Sequence, residues 1–252
     1  MQQVTPRYKI GAIGPISREH ALTRQEVSDP NLRSERLLPP DIVYIHSGLR
    51  LRDYTREGVE EGIARYWDCV DEIMPHKPDR IGWGGFPISA QLGRPRCLQL
   101  IEETRQRTGL PAGNDGESVV AAMKHLGMGR VAVASRWADQ LNEGVVGYLN
   151  HAGIEVLTIT TVGQWAGEAF SMSLDTGIKL VFQLSRQAMK QAPTAQGLFV
   201  PGGTWHSLGC IPILEEDFGI PVITNGIAST WRLIHDGIAP PVRGWGKLLE
   251  TP

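Results

Sequence analysis

Two stretches of this chain read alike at a fixed distance. "Thr108-Gly109-Leu110-Pro111 … His125-Leu126-Gly127" returns as "Phe218-Gly219-Ile220-Pro221 … His235-Asp236-Gly237", with Pro111 and Pro221, His125 and His235, and Gly127 and Gly237 each 110 residues apart. Each copy predicts a strand, a loop, a helix and then a glycine that ends the helix. A looser echo pairs Trp83-Gly84-Gly85 with Pro201-Gly202-Gly203, each closing an apolar run, about 118 residues apart. A duplicated unit of this kind predicts two similar halves facing each other about a pseudo-twofold axis, with chance recurrence of Gly-[Leu/Ile]-Pro before a strand as the alternative.

The rest of the pattern agrees. Short apolar runs near 8–14, 41–47, 80–85, 110–113, 130–135, 154–160, 197–201 and 220–224 predict strands. Helical spacing falls between them, near 55–74, 96–107, 116–126, 138–152, 175–191, 208–217 and 226–236, with Thr55 and Asp175 as start signals. Strands separated by helices of this length imply an α/β fold of parallel sheets with right-handed crossovers. Residues 15–40, charged and proline-containing, are assigned no regular element. The two lobes are expected at residues 1–120 with 226–252, and at 121–225.

Composition excludes several classes. Net charge is −2 and the basic residues are scattered, which argues against nucleic acid or an anionic membrane as partner. No run approaches the roughly 18 apolar residues of a membrane span, and "MQQVTPRYKIGAIGP" lacks the apolar core of a signal peptide. Cys69, Cys97 and Cys210 have no metal-ligand spacing and are an odd number for a disulfide framework, so a reducing, cytoplasmic setting is the simplest expectation. No Walker sequence and no G-x-G-x-x-G follows a strand, so no nucleotide cofactor is expected, and the cysteine spacing gives no reason to expect a metal.

Ligands of parallel α/β sheets gather at the carboxyl ends of strands, where backbone N–H groups and helix N-termini point outward. Here those ends carry Ser17, Gly85, Phe86, Asp115, Glu117, Ser135, Arg136, Trp137, Pro201, Gly202, Gly203 and Asn225. Small residues admit a ligand close to the backbone, while serine and asparagine add neutral hydrogen bonds. Such a set suits a small carboxylic acid. Arg136 is a candidate clamp for its carboxylate, with projection to solvent as the alternative. Phe86, Trp137 and Trp205 are candidates for an apolar wall, or for plain core packing.

Taken in order, "KIGAIGP", "HSGLRLRDYTREG", "TGLPAGNDGESVVAAMKHLGMGRVAVAS", "DQLNEGVVGYLNHAGIEV" and "GLFVPGGTWHSLGCIPILEEDFGIPVITN" resemble the aspartate/glutamate racemase superfamily, most closely its arylmalonate decarboxylase and maleate cis-trans isomerase branch. The resemblance implies two Rossmann-like lobes with a small active site between them, no cofactor, and a tendency to self-associate. In that family a cysteine at one or both facing strand ends moves the proton. This chain departs there: the first cysteine position falls on Gly85, followed by Phe86-Pro87 in place of Thr-Ser, and the second falls on Pro201. The family tyrosine that helps hold the substrate carboxylate corresponds to Trp137. Proton transfer by a thiol at these positions is chemically impossible.

Replacements must come from elsewhere. Cys210, nine residues past Pro201, reads as a core cysteine, as do Cys69 and Cys97. His206 suits acid–base work near neutral pH, or is a surface or capping residue. Asp115 and Glu117 either complement a helix dipole or activate water and take protons. His125 and His235, at helix ends, are expected to be structural. The first expectation is a cysteine-independent enzyme acting beside the carboxylate of a small acid, most simply a decarboxylase-like lyase. The alternatives are a hydrolase using Asp115, Glu117 or His206 to activate water, a non-cysteine isomerase or racemase, and a non-catalytic carboxylate-binding protein.

Overall fold

The computed structural model describes residues 5–15, 34–165, 172–202 and 206–252. Its strands form where apolar residues run together between glycine- and proline-rich turns. β1 (Tyr8–Gly14), β2 (Ile42–Gly48), β3 (Arg80–Trp83) and β4 (Ala112–Asn114) make one sheet in the order β2-β1-β3-β4. β5 (Arg130–Ala134), β6 (Glu155–Thr160), β7 (Gly197–Phe199) and β8 (Val222–Ile223) make another in the order β6-β5-β7-β8. Every ladder is parallel. Both sheets therefore run second, first, third, fourth, the shared topology that a duplication demands.

The helices are α1 (Arg56–Ile63), α2 (Tyr66–Ile73), α3 (Phe86–Leu92), α4 (Arg94–Thr108), α5 (Asp115–His125), α6 (Asp139–His151), α7 (Leu174–Gln191), α8 (Ile211–Phe218), α9 (Asn225–His235) and α10 (Lys247–Glu250). The repeat is most literal in α5 and α9, each of 11 residues. Each begins with an N-cap side chain taking a backbone N–H three residues on: Asn114 accepts from Glu117 N at 2.8 Å, and Thr224 from Ile227 N at 3.2 Å. Asp115 and Asn225 thus occupy equivalent first positions, while His125 and His235 meet around the Trp231 ring at the far ends.

Three local expectations need correction. The run 55–74 is two helices, α1 and α2, interrupted at Ala64 and Arg65, although Thr55 caps the first as expected by accepting from Gly58 N. Helix α7 is capped by Ser173, which accepts from Thr176 N, and Asp175 stands in its first turn. Helix α3 was not anticipated, because Phe86-Pro87 reads as a strand end; a proline in the first turn lacks only an N–H that has no partner there anyway. Of the stretch left without regular structure, Ser34–Leu37 forms a 3-10 turn and 16–33 lies outside the described residues.

The two sheets share one continuous apolar core containing Tyr66, Trp83, Phe86, Phe199 and Trp231. Burying that much apolar surface is the main favourable term in folding. Among the described residues no helix is long and apolar enough to cross a membrane.

Candidate active site

A cleft of about 1510 Å³ opens at the carboxyl ends of the strands and extends along the first sheet. Gly85, Phe86, Asp115, Glu117, Arg136, Trp137, Gly202, His206 and Asn225 all line it. Helices α5 and α9 both begin at its wall, so two helix N-termini lend it partial positive charge.

At its centre the two halves are tied together by the paired residues of the repeat. Gly85 N–H donates to Asp115 Oδ2 at 2.8 Å, and Gly202 N–H donates to Asn225 Oδ1 at 2.9 Å. Both glycines have a positive φ, 100° and 102°, a region that side chains disfavour. The two acceptors then join: Asn225 Nδ2 donates to Asp115 Oδ2 at 3.2 Å. Ser229, one turn further along α9, donates to Asp115 Oδ1 at 2.7 Å. Burial pushes the Asp115 carboxyl above the ordinary carboxylate range, while the hydrogen bonds from Ser229, Gly85 and Asn225 pull the other way. The Gly202 N–H, expected to hold an anion, is thus engaged by Asn225.

The remaining candidates divide sharply. Glu117 carries three donors: Arg94 Nε at 2.8 Å, Arg94 Nη2 at 3.0 Å and Tyr148 OH at 2.9 Å. The bidentate pair fastens α4 to α5 and the Tyr148 bond fastens α6 to α5, so both carboxylate oxygens are already engaged. Replacing Glu117 with alanine strands the Arg94 guanidinium and the Tyr148 hydroxyl, and should cost about 2 kcal/mol in urea unfolding. Ser135 is likewise turned inward, donating to Asn142 Oδ1 at 2.6 Å and accepting from Trp137 N at 3.0 Å; it does not line the cleft.

Arg136 and Trp137 are both buried, yet both reach the cleft. The backbone after β5 is held by Gln164 N–H donating to Arg136 O at 2.7 Å, so the guanidinium sits on a fixed support. Burial pulls Arg136 down to about 9, which leaves it a cation at neutral pH. Phe86 packs edge-on against Phe199 at 5.1 Å and forms an apolar wall. His206 is buried with φ at 58°, an uncommon conformation for a residue with a side chain. Pro201 is buried and does not line the cleft. Ser17, Gly203 and Trp205 lie outside the described residues.

No cysteine lines the cleft among the described residues. All three are buried, and burial raises each thiol, Cys97 to about 12 and Cys210 to about 11. Sequence reasoning missed Ser229 and Tyr54. Ser229 had a signal, its spacing of four from Asn225 on one helix face. Tyr54, a cleft residue close enough to Arg136 to favour its charged form, had none beyond its place in the stretch HSGLRLRDYTREG.

Comparison with known proteins agrees with this architecture. A family model described as arylmalonate decarboxylase matches residues 33–249. The arylmalonate decarboxylase of Bordetella bronchiseptica is 27% identical over 215 residues, covering 84% of this chain and 88% of that one. The crystal structure of a double mutant of arylmalonate decarboxylase in its liganded form superposes with a TM-score of 0.82 at 26% identity, covering 96% of this chain and 98% of that one. A Nocardia farcinica maleate cis-trans isomerase mutant carrying a covalent succinylcysteine intermediate shares the fold, with a TM-score of 0.80 at 20% identity and coverage of 97% and 99%. Two parallel sheets of the same order, the cleft at their strand ends and a match over most of the length lead to one conclusion: the chain belongs to the arylmalonate decarboxylase family.

Proposed function

We propose that this protein is a lyase that removes carbon dioxide from a small organic diacid without using a thiol. The observation that carries the reading is the buried Arg136 in the wall of a cleft that two helix N-termini share and that no cysteine lines among the described residues. When the carbon–carbon bond breaks, its electron pair stays on the α-carbon and spreads into the remaining carboxylate as an enediolate. The barrier falls when fixed positive charge already faces that oxygen pair. Arg136 supplies a full charge, and α5 and α9 add their N-terminal dipoles. Phe86 and Trp137 keep water away from the carboxylate that leaves and accommodate a ring or hydrocarbon substituent. A proton then reaches the carbon from inside the cleft.

The test is carbon dioxide release from a panel of aryl- and alkylmalonates, run beside amides and maleate. Turnover of a malonate, retained near the wild-type rate in Cys210→Ala, is the expected result. Ammonia or acid released from an amide points instead to a hydrolase, and ligand-induced thermal stabilisation with no turnover to a binding protein. A folded but inactive Cys210→Ala protein overturns the thiol-free reading.

A further inference from the structure

The surroundings of the Asp115 carboxyl are asymmetric. Oδ2 receives two hydrogen bonds, from Gly85 N–H and Asn225 Nδ2, and neither group can accept. The Asn225 amide has only one orientation open to it: Gly202 N–H can only donate, so it takes Oδ1 and turns the NH2 toward Asp115. A proton on Oδ2 would confront two N–H groups. A protonated Asp115 therefore carries its proton on Oδ1, where the neighbour is the Ser229 hydroxyl at 2.7 Å, a group that accepts as readily as it donates. Both Asp115 and Ser229 line the cleft. The repeat adds a second observation: at two equivalent helix starts one half carries an amide and the other a carboxyl, so only one of the pair titrates.

We propose that Asp115 and Ser229 together are the proton donor of this site, with Asn225 the positioning residue that confines the proton to Oδ1. The inference rests on the lyase reading above and names the group that completes it. After carbon dioxide departs, the enediolate π pair forms a C–H bond with the hydroxyl proton of Ser229. Oγ takes the proton from Oδ1 as its own leaves. Asp115 remains as a carboxylate held by Gly85 N–H and Asn225 Nδ2, and water restores its proton. Around it, α9 presents the neutral Asn225 and Ser229, the β3 side presents the Gly85 N–H, and β2 presents Tyr44. The like charge of Glu35, from the 3-10 turn, works with burial to favour the protonated acid.

Two readouts separate this inference from the reading beneath it. One is carbon dioxide release from phenylmalonate. The other is α-hydrogen exchange of phenylacetate in heavy water, the microscopic reverse of protonation, which needs the proton donor but no decarboxylation. Ser229→Ala and Asp115→Asn should each lower both by about 10²–10⁴-fold, with Ser229→Thr restoring activity because it keeps the hydroxyl. Asn225→Ala removes a bond that favours the carboxylate, so the alkaline fall of kcat should move to higher pH; a merely structural defect lowers the rate at every pH alike. Exchange and carbon dioxide release both unchanged in Ser229→Ala and Asp115→Asn overturn the proton donor and leave the lyase standing. Serine-dependent exchange without carbon dioxide release supports the donor and overturns the lyase. A wild-type protein that does neither overturns both.

Discussion

Arg136→Leu is expected to lower kcat/KM for a malonate by about 10²–10³-fold while leaving the protein folded. The leucine keeps an apolar stem of comparable length beside Trp137 but removes the cation from the cleft. Because the Arg136 carbonyl is already bonded to Gln164 N–H, the backbone after β5 has no reason to move. The loss should appear in malonate affinity by calorimetry as well as in rate, since both the substrate carboxylate and the developing enediolate face the same charge. Arg136→Lys should recover only part of it, because an ammonium cannot make the planar two-pronged contact. Undiminished turnover by Arg136→Leu would remove the proposed anion hold.

Trp231→Ala should have the largest effect on stability, about 3–5 kcal/mol in urea unfolding and roughly 10 °C in Tm. Its ring is 1% exposed and lies between His125 and His235, with centroids at 5.0 and 4.8 Å. Its Nε1–H also donates to Thr251 O at 3.1 Å, tying down the segment after α10. Removing it leaves a cavity between α5 and α9, the two helices whose opposite ends carry Asp115 and Asn225. Trp231→Phe should restore most of the packing but not the bond to Thr251. A Trp231→Ala protein as stable as wild type would mean that the two helices are held by something other than this contact.

Much of the architecture was legible before any coordinates. The 110-residue offset marks α5 and α9 to within one residue at each end, because capping and helix-ending residues act locally and repeat wherever the sequence does. The strands were legible for the same reason, their apolar runs being bounded by glycine and proline. Helix α3 was not, because Phe86-Pro87 carries no helical period of its own and folds as a helix only when its apolar face is covered by the core. The site was legible as a set of strand ends and not as a set of partners. Asp115 and Glu117 stand two residues apart with identical chemistry, yet one faces Ser229 and Asn225 while the other is locked to Arg94 and Tyr148.

By itself, then, the sequence determined the internal repeat, the parallel α/β order and the absence of cysteine at Gly85 and Pro201, all of which depend on residue identity and spacing along the chain. Only the tertiary structure decided which carboxyl is held by Arg94 and Tyr148, which serine is buried in a turn and which oxygen of Asp115 can hold a proton. Hydrogen-bond partners 110 and 114 residues apart meet through the packing of α5 against α9, and no local pattern encodes that meeting.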